Sequence, residues 1–330
     1  MPDHLQVNNS KPQIMRTGLI FNPLGGQFRK RDSLIRAALA DLHEVNQIEA
    51  TNLSAFNQAV QVLIAAEIEW LIIVGGDGTL QGVINCLFAQ LPLDKWPILT
   101  IVPGGTTNMI SLDLGMRDKP EKVLIKIKQA LQQSSKVILV KRPVLRIEQA
   151  DVKNVYGMLF GLGLIARGVR FSQSRIKQLG LTGNFFTIMI VLRSVIGTFL
   201  GRPNTEWAPV RVKKADESGA LQEKTYTFAL VSALEHLLLG IRPYWGNESA
   251  PLHSTFVAQH SKGFWYQIWL LIAGRGHGLK KKDGYESANI FSIEIWLDDE
   301  YIVDGELYHA SSQQGPLRII ADGPLVFRVL

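Results

Sequence analysis

The chain has a single cysteine, Cys86, in 330 residues. One thiol makes neither an intramolecular disulfide nor a cysteine metal cluster, and its neighbours Val83, Ile84 and Leu87 mark it as core packing in a reducing compartment. No apolar run reaches the ~18 residues of a spanning helix, and the stretch up to Arg16 is polar and charged where a signal peptide would be apolar. The expectation is a cytoplasmic protein, at most peripheral to a membrane. Charged residues make up 19% of the chain against 46% apolar, a balance that excludes extended disorder. Also missing are internal repeats, low-complexity tracts, the lysine of a P-loop and the G-x-G-x-x-G spacing of a dinucleotide site.

The net charge of +6 favours an anionic partner without choosing among nucleotide, nucleic acid and an acidic membrane surface. Lys280, Lys281 and Lys282 form a basic run. No aromatic ladder of the single-strand-binding kind is interleaved with it, so no nucleic acid is expected. A solvated loop and an anionic lipid contact remain as readings of the run.

The length calls for two domains. Up to Arg142, short apolar runs alternate with amphipathic stretches, the pattern of a parallel sheet flanked by helices. Strands are expected at Gly18 to Phe21, Glu44 to Ala50, Trp70 to Val74, Ile98 to Val102 and Lys136 to Val140. Helices are expected at Lys30 to Leu42, Ser54 to Glu67, Leu80 to Ala89 and Glu121 to Gln132. Beyond Arg142 the pattern turns to antiparallel pairs: Val144 to Glu148 with Val155 to Phe160, Pro209 to Lys213 with Tyr226 to Val231, and Ile290 to Leu297 with Tyr301 to Val303. A helical stretch, Arg167 to Gly201, interrupts them. The fold class is α/β plus all-β. A doubly wound parallel α/β domain occupies 1–142, a β-sandwich-like domain 143–314, and a C-terminal hairpin 315–330 that packs on either.

In such sheets ligands bind beyond the carboxyl ends of the strands. Three loops emerge there: Asn22 to Gly26, Gly75 to Thr79, and Pro103 to Asn108. Gly75, Gly76 and Gly78 remove the Cβ atoms that would hold a backbone off a polyphosphate, and they permit the positive φ that turns N–H groups inward. The helix expected just beyond adds its dipole. Asp77 would repel a phosphate unless a divalent cation lay between them, so the loop points to a nucleotide with Mg²⁺. A plain strand-to-helix turn is the alternative.

Near the other end, Asp304 and Glu306 flank Gly305, and in an extended segment their side chains would share one face. Phosphoryl transfer to an alcohol needs a base near the hydroxyl and positive charge on the transferred group. A solvated hairpin end is the alternative, given Asp298, Asp299 and Glu300 nearby.

Taken in order, the Asn22-Pro23 loop, Gly75 to Thr79 followed by Asn85, Pro103 to Asn108, the Gly161-Leu162-Gly163 turn and Asp304-Gly305-Glu306 resemble the diacylglycerol kinase catalytic-domain superfamily. The resemblance is in particular to the soluble bacterial diacylglycerol and lipid kinases. Sphingosine kinases are relatives, and NAD kinases and phosphofructokinases share the GGDG-type loop more distantly. The resemblance implies ATP-dependent phosphorylation of a lipid hydroxyl, diacylglycerol first, in a cleft between the two domains. It implies that Gly75, Gly76, Asp77, Gly78 and Thr79 hold the ATP phosphates, with Asp77 orienting Mg²⁺. The loop bearing Gly105, Thr106 and Asn108 joins them; Thr51 and Thr106 are the other nucleotide-contacting threonines, and Asn22 shapes the adjacent loop. Glu306 matches the general base and Asp304 its partner carboxylate.

Two departures stand out. The family commonly carries Asn-Asp where this chain has Asn108-Met109, so one carboxylate of the metal network is missing; Asp113, four residues on, is a candidate substitute whose plainer fates are capping or surface exposure. A DDG-like segment that binds a structural Mg²⁺ is replaced by Ser249 to Thr255, so no such metal is expected. His253, His236 and His260 read as ordinary polar positions.

An enzyme acting on a membrane lipid presents an apolar opening, for which Phe185 to Leu200 and Phe264 to Leu271, flanked by Lys262 and Arg275, are candidates; buried core is the alternative for both. The competing functions are a kinase for a sphingoid base or another soluble acceptor, and a catalytically impaired nucleotide- or lipid-binding regulator. A homodimer is left open.

Overall fold

The computed structural model describes residues 4–6, 15–132, 137–179, 209–215 and 219–330. It divides into two compact units: Met1–Arg142 with Gly323–Leu330, and Pro143–Asp322.

The first unit holds β1 (His4–Gln6), β2 (Thr17–Phe21), β3 (Asn46–Glu49), β4 (Trp70–Gly75) and β5 (Ile98–Pro103). Its helices are α1 (Phe28–Ala40), α2 (Leu53–Ala65), α3 (Asp77–Gln90), the short α4 (Met109–Asp113) and α5 (Pro120–Gln132). Strand β2 pairs in parallel with β3 and β4, and β4 with β5. Every residue of β4 is buried, as expected of a β-branched and aliphatic run covered on both faces. On one face, α1 and α5 pack Phe28, Ile35, Val123, Leu124 and Ile127 against Leu19, Ile72 and Val74. The buried Phe56, Val60 and Leu63 of α2 and Leu80, Val83 and Leu87 of α3 are the core residues of the other two helices. Helix α2 starts where Asn52 accepts the Ala55 amide at 3.0 Å, a side-chain N-cap.

Two further strands pass from one unit to the other: β6 (Ile138–Glu148) and β16 (Leu317–Val329). The expected C-terminal hairpin does not form. Residues 317–330 run as one strand whose first part pairs antiparallel with β13 (Ser292–Trp296) and whose end pairs in parallel with β5 through Phe327 and Leu99. Its end is fixed within the first unit by Thr100, whose hydroxyl takes the Trp70 indole N–H at 2.8 Å and donates to the Arg328 carbonyl at 2.9 Å. The Arg328 guanidinium lies 4.1 Å over the Trp70 ring.

The second unit adds β7 (Val155–Gly157), β8 (Leu159–Gly163), β9 (Val210–Ala215), β10 (Leu221–Ser232), β11 (Leu252–Ala258), β12 (Tyr285–Ile290), β14 (Asp299–Val303) and β15 (Glu306–Ala310), with helices α6 (Leu164–Leu179) and α7 (Phe264–Ile272). The strand pairs among its described residues are antiparallel. Strand β10 pairs with β9 along its first half and with β8 and β11 along its second. The β6/β7 pair forms as the alternation suggests, whereas β9 pairs with 221–226 and meets the expected Tyr226 to Val231 stretch only at Tyr226. The expected pairing of 290–297 with 301–303 does not: β13 pairs with β9 and β16, whereas β14 pairs with β8 and β15. Gly161, Leu162 and Gly163 are not a turn but the end of β8, with only Gly163 at positive φ, +66°. A Cβ on Gly163 would lie 2.4 Å from the Thr227 carbonyl oxygen. The expected helical stretch begins as α6; its apolar part, 185–200, lies outside the described residues.

Candidate functional site

The three loops at the carboxyl edge of the first unit's sheet converge. Asn22 donates its backbone N–H to the Val74 carbonyl at 2.9 Å and its side-chain N–H to Thr79 Oγ1 at 3.1 Å, tying the first loop to the second. The Gly104 amide donates to the Gly75 carbonyl at 2.9 Å, and its own carbonyl accepts from Gln27 at 3.0 Å, so the third loop sits against both others. The glycines serve this close approach. A Cβ on Gly76 would come to 2.9 Å of the Gly105 Cα, one on Gly25 to 2.4 Å of the Gly104 carbonyl oxygen, and one on Gly26 to 2.2 Å of Thr106 Oγ1.

That corrects the sequence reading in two respects. Helix α3 starts at Asp77, so Asp77, Gly78 and Thr79 form its first turn and only Gly75 and Gly76 precede it. None of Gly75, Gly76 and Gly78 has a positive φ. Their backbones do not wrap a phosphate as a nest; instead, absent side chains let two loops lie against each other at the start of a helix dipole. The left-handed residue is Asn108, at φ +51°. Its side chain closes the third loop, accepting the Gly105 amide at 2.8 Å and donating to the Gly105 carbonyl at 3.0 Å.

Asp77 is half-buried, with its carboxylate turned toward α4. Oδ2 accepts the Met109 amide and Oδ1 the Ile110 amide, each at 3.0 Å. These are amides at the start of α4 that lack a partner within the helix, so Asp77 caps α4 from a distance. Burial pushes its pKa above the ordinary 3.8, while the Ile110 and Met109 amides pull it back. Sequence reasoning missed this role, because a cap is legible only when it adjoins its helix and here the two are 32 positions apart. The Met109 side chain is buried, and so is Ile110. Asp113 does not stand in for the missing carboxylate: its side chain is fully buried and takes the Arg142 Nε at 2.9 Å. Thr106 is exposed, and Thr51 is exposed beside the Asn52 cap at the same sheet edge, past the end of β3.

No group of three or more His, Cys, Asp or Glu side chains among the described residues forms a metal cage. The residues do fit a divalent cation that arrives on a nucleotide, because such an ion asks for one or two carboxylates plus phosphate oxygens. Asp77 is a desolvated carboxylate beside a dipole-bearing loop edge, and each of its oxygens keeps a lone pair beyond the amide it accepts. A cavity of about 530 Å³ opens at the opposite ends of the strands, lined by Leu63, Leu71, Leu87, Leu91 and Trp96. Its Arg16 is paired with Glu67 and Glu69.

In the second unit, Asp304 and Gly305 are the two turn residues between β14 and β15, at φ +50° and +92°. They make a tight hairpin rather than the extended segment expected, so Asp304 and Glu306 do not line one face of a strand. The Asp304 carboxylate turns back to the start of β8. Oδ1 accepts the Leu159 amide at 2.8 Å and Oδ2 the Met158 amide at 3.0 Å, while the Asp304 amide donates to the Leu159 carbonyl at 2.9 Å. Gly157 makes room, since a Cβ there would lie 2.7 Å from Asp304 Oδ2. Glu306, first in β15, is exposed.

The acids at the other end of β14 are engaged: Asp299 forms a bidentate pair with Arg167 at 2.6 and 2.9 Å, Glu300 pairs with Arg170, and Asp298 accepts from Ser312. Asp304 is therefore distinct from that cluster. His253 is buried in β11, 2.8 Å from Asn289 Oδ1 and stacked on Tyr244, while His236 and His260 are exposed.

Residues 16–140, the segment that carries these three loops, match the model of the diacylglycerol kinase catalytic domain. The resemblance drawn from the sequence is thus borne out for a kinase-type catalytic domain. A diacylglycerol kinase of Bacillus subtilis (strain 168) is 30% identical over 106 residues, 31% of this chain; the match spans 34% of that relative's length. Two solved structures from Bacillus anthracis str. Sterne share the fold over nearly the whole chain. A candidate diacylglycerol kinase has 21% identity and TM-score 0.61, covering 93% of this chain and 94% of its own. A second, a diacylglycerol kinase, has 18% identity and TM-score 0.57, covering 95% and 96%. At these identities they establish the architecture, a parallel α/β part followed by antiparallel strands.

Proposed function

We propose that the protein is an ATP-dependent lipid kinase, with diacylglycerol as the leading acceptor and phosphatidic acid as product. One observation carries the reading: three loops converge on Asp77 at the carboxyl edge of a parallel sheet, inside the segment that matches the kinase catalytic domain. The ATP phosphates lie on Gly75 to Thr79 and on the loop of Gly105, Thr106 and Asn108, with Asn22 and Thr51 alongside. The start of α3 directs its dipole at them. When bound, Mg²⁺ neutralises phosphate charge, and Asp77 is the residue that would hold it.

Glu306 takes the proton of the acceptor hydroxyl. The alcohol oxygen forms a bond to the γ-phosphorus as the bond to the bridging oxygen breaks, and ADP leaves. Asp304 serves Glu306 as a positioning residue, since its own carboxylate is engaged by the Met158 and Leu159 amides and fixes the turn. The test is ADP release stimulated by dispersed diacylglycerol. Asp77→Ala and Glu306→Gln each lose it while remaining folded, and retained turnover in either variant refutes that residue's role.

A second reading, a nucleotide- or lipid-binding regulator, is favoured by Met109, whose buried apolar side chain stands where the family resemblance implies a carboxylate. ATP and lipid binding without any ADP release from the parent protein would select it. Met109→Asp is a poor rescue, because it would bury a second charge beside Asp77.

A further inference from the structure

Helix α7 is apolar on every side. Its sequence, FWYQIWLLI, has no charged residue. One side, through Phe264, Ile268 and Leu271, packs on the core of the second unit. The opposite side presents Tyr266, Trp269 and Ile272 at 72%, 57% and 36% exposure. A surface helix ordinarily turns polar residues outward; one apolar all round is normally buried or in contact with lipid.

The flanking charge is mainly positive, with Asp283 the acid beside the lysine turn. From Ser249 to Lys282 the chain holds no acidic residue. Lys262, Arg275, Lys280, Lys281 and Lys282 are all exposed. The fold gathers four of them at one place: the Lys262 amide donates to the Asp283 carbonyl at 2.8 Å, and the Tyr285 hydroxyl to the Lys262 carbonyl at 3.0 Å, bringing the 280–282 turn to the N-terminal end of α7. That end of a helix dipole favours anions, so the dipole does not account for the cations gathered there. A second copy of the chain would bring the same cations and be repelled. A nucleic acid would satisfy the charge but leave the exposed tyrosine, tryptophan and isoleucine unused.

We infer that α7 is the membrane-docking element, with Tyr266, Trp269 and Ile272 entering the interfacial region of an anionic bilayer while Lys262 and Lys280 to Lys282 meet its headgroups. The inference rests on the lipid-kinase reading for its purpose, reaching a bilayer-borne acceptor, and its test reads binding rather than turnover. The full chain is sedimented with phosphatidylcholine vesicles, with and without phosphatidylglycerol, at low and high salt. Binding requires phosphatidylglycerol and weakens with salt. Tyr266→Ser/Trp269→Ser lowers partitioning about tenfold, and Lys280→Gln/Lys281→Gln/Lys282→Gln lowers it about as much and flattens the salt dependence.

Both variants keep the parent melting temperature and its ADP release with a short-chain, detergent-dispersed acceptor. Equal partitioning of parent and both variants, or equal binding without phosphatidylglycerol, overturns the assignment. So does displacement from vesicles by DNA, or a parent dimer abolished by Trp269→Ser. If no acceptor elicits ADP release while vesicle binding and its loss persist, the kinase reading fails and the docking surface stands.

Discussion

Asp77 and Met109 are joined by a hydrogen bond of 3.0 Å from the Met109 amide to the Asp77 carboxylate, and Ile110 makes a second at the same length. The one carboxylate of the glycine loop therefore also fixes the start of α4. Position 109 contributes a backbone amide to Asp77 rather than a second charge.

Replacement of Asp77 separates its roles. Asp77→Asn keeps an acceptor for one amide and removes a desolvated charge, so it melts at or above the parent at neutral pH. Asp77→Ala leaves both amides unpaired and costs about 1 kcal/mol relative to Asp77→Asn. Urea unfolding measures the difference, and both variants lack Mg²⁺-dependent turnover.

The raised pKa of Asp77 fixes a pH dependence. The stability that its protonated form contributes is fully present below the unfolded value, near 3.8, and is lost as pH rises through the higher folded value. The stability of Asp77→Asn relative to the parent should grow across that interval and level off above it. A difference that shrinks with rising pH would show that the carboxylate is stabilised as an ion. Binding supplies a parallel check, because ionised Asp77 repels metal-free ATP and attracts the Mg²⁺ complex. Raising pH through the same interval weakens the first and strengthens the second.

Arg142 is the last residue before the chain enters the second unit, and its partner Asp113 closes α4. The pair is nearly dry, with side-chain exposures of 10% and 0%. Arg142→Met leaves the Asp113 charge buried and costs about 3 kcal/mol, whereas Arg142→Met/Asp113→Leu recovers most of that. A double-mutant cycle by chemical denaturation reads the coupling; additive losses would mean the contact carries no weight.

The β14–β15 turn predicts a split between stability and activity. Gly305→Ala must adopt φ near +92° and costs about 1–2 kcal/mol. Glu306→Gln alters an exposed side chain and leaves the melting temperature unchanged while removing lipid-dependent ADP release. A Glu306→Gln protein that melts several degrees lower would point to a structural role instead.

The first unit was legible where local pattern decides structure. Apolar runs such as Trp70 to Val74 and amphipathic stretches such as Glu121 to Gln132 mark their elements because burial imposes a period on side chains. Convergence of the loops followed from the rule that ligands gather at the carboxyl edge of a parallel sheet. What pattern could not show is long-range pairing. Cross-strand partners in antiparallel sheets are not encoded by adjacency, so β13 and β14 read as a hairpin although each pairs elsewhere. Residues 317–330 read as a hairpin around Ala321 to Pro324, yet the strand continues because its two halves find different partners. Asp77, Asp113 and Asp304 are each spent on amides or a guanidinium far away in sequence, which composition and spacing leave unseen.

The most direct test is incubation of the protein with γ-labelled ATP, Mg²⁺ and a total lipid extract, followed by identification of whatever carries the label. The account predicts label in a lipid phosphate monoester, phosphatidic acid foremost, and its absence with Asp77→Ala or Glu306→Gln. Label confined to a water-soluble product, or ATP bound and left intact with every lipid fraction, would contradict it.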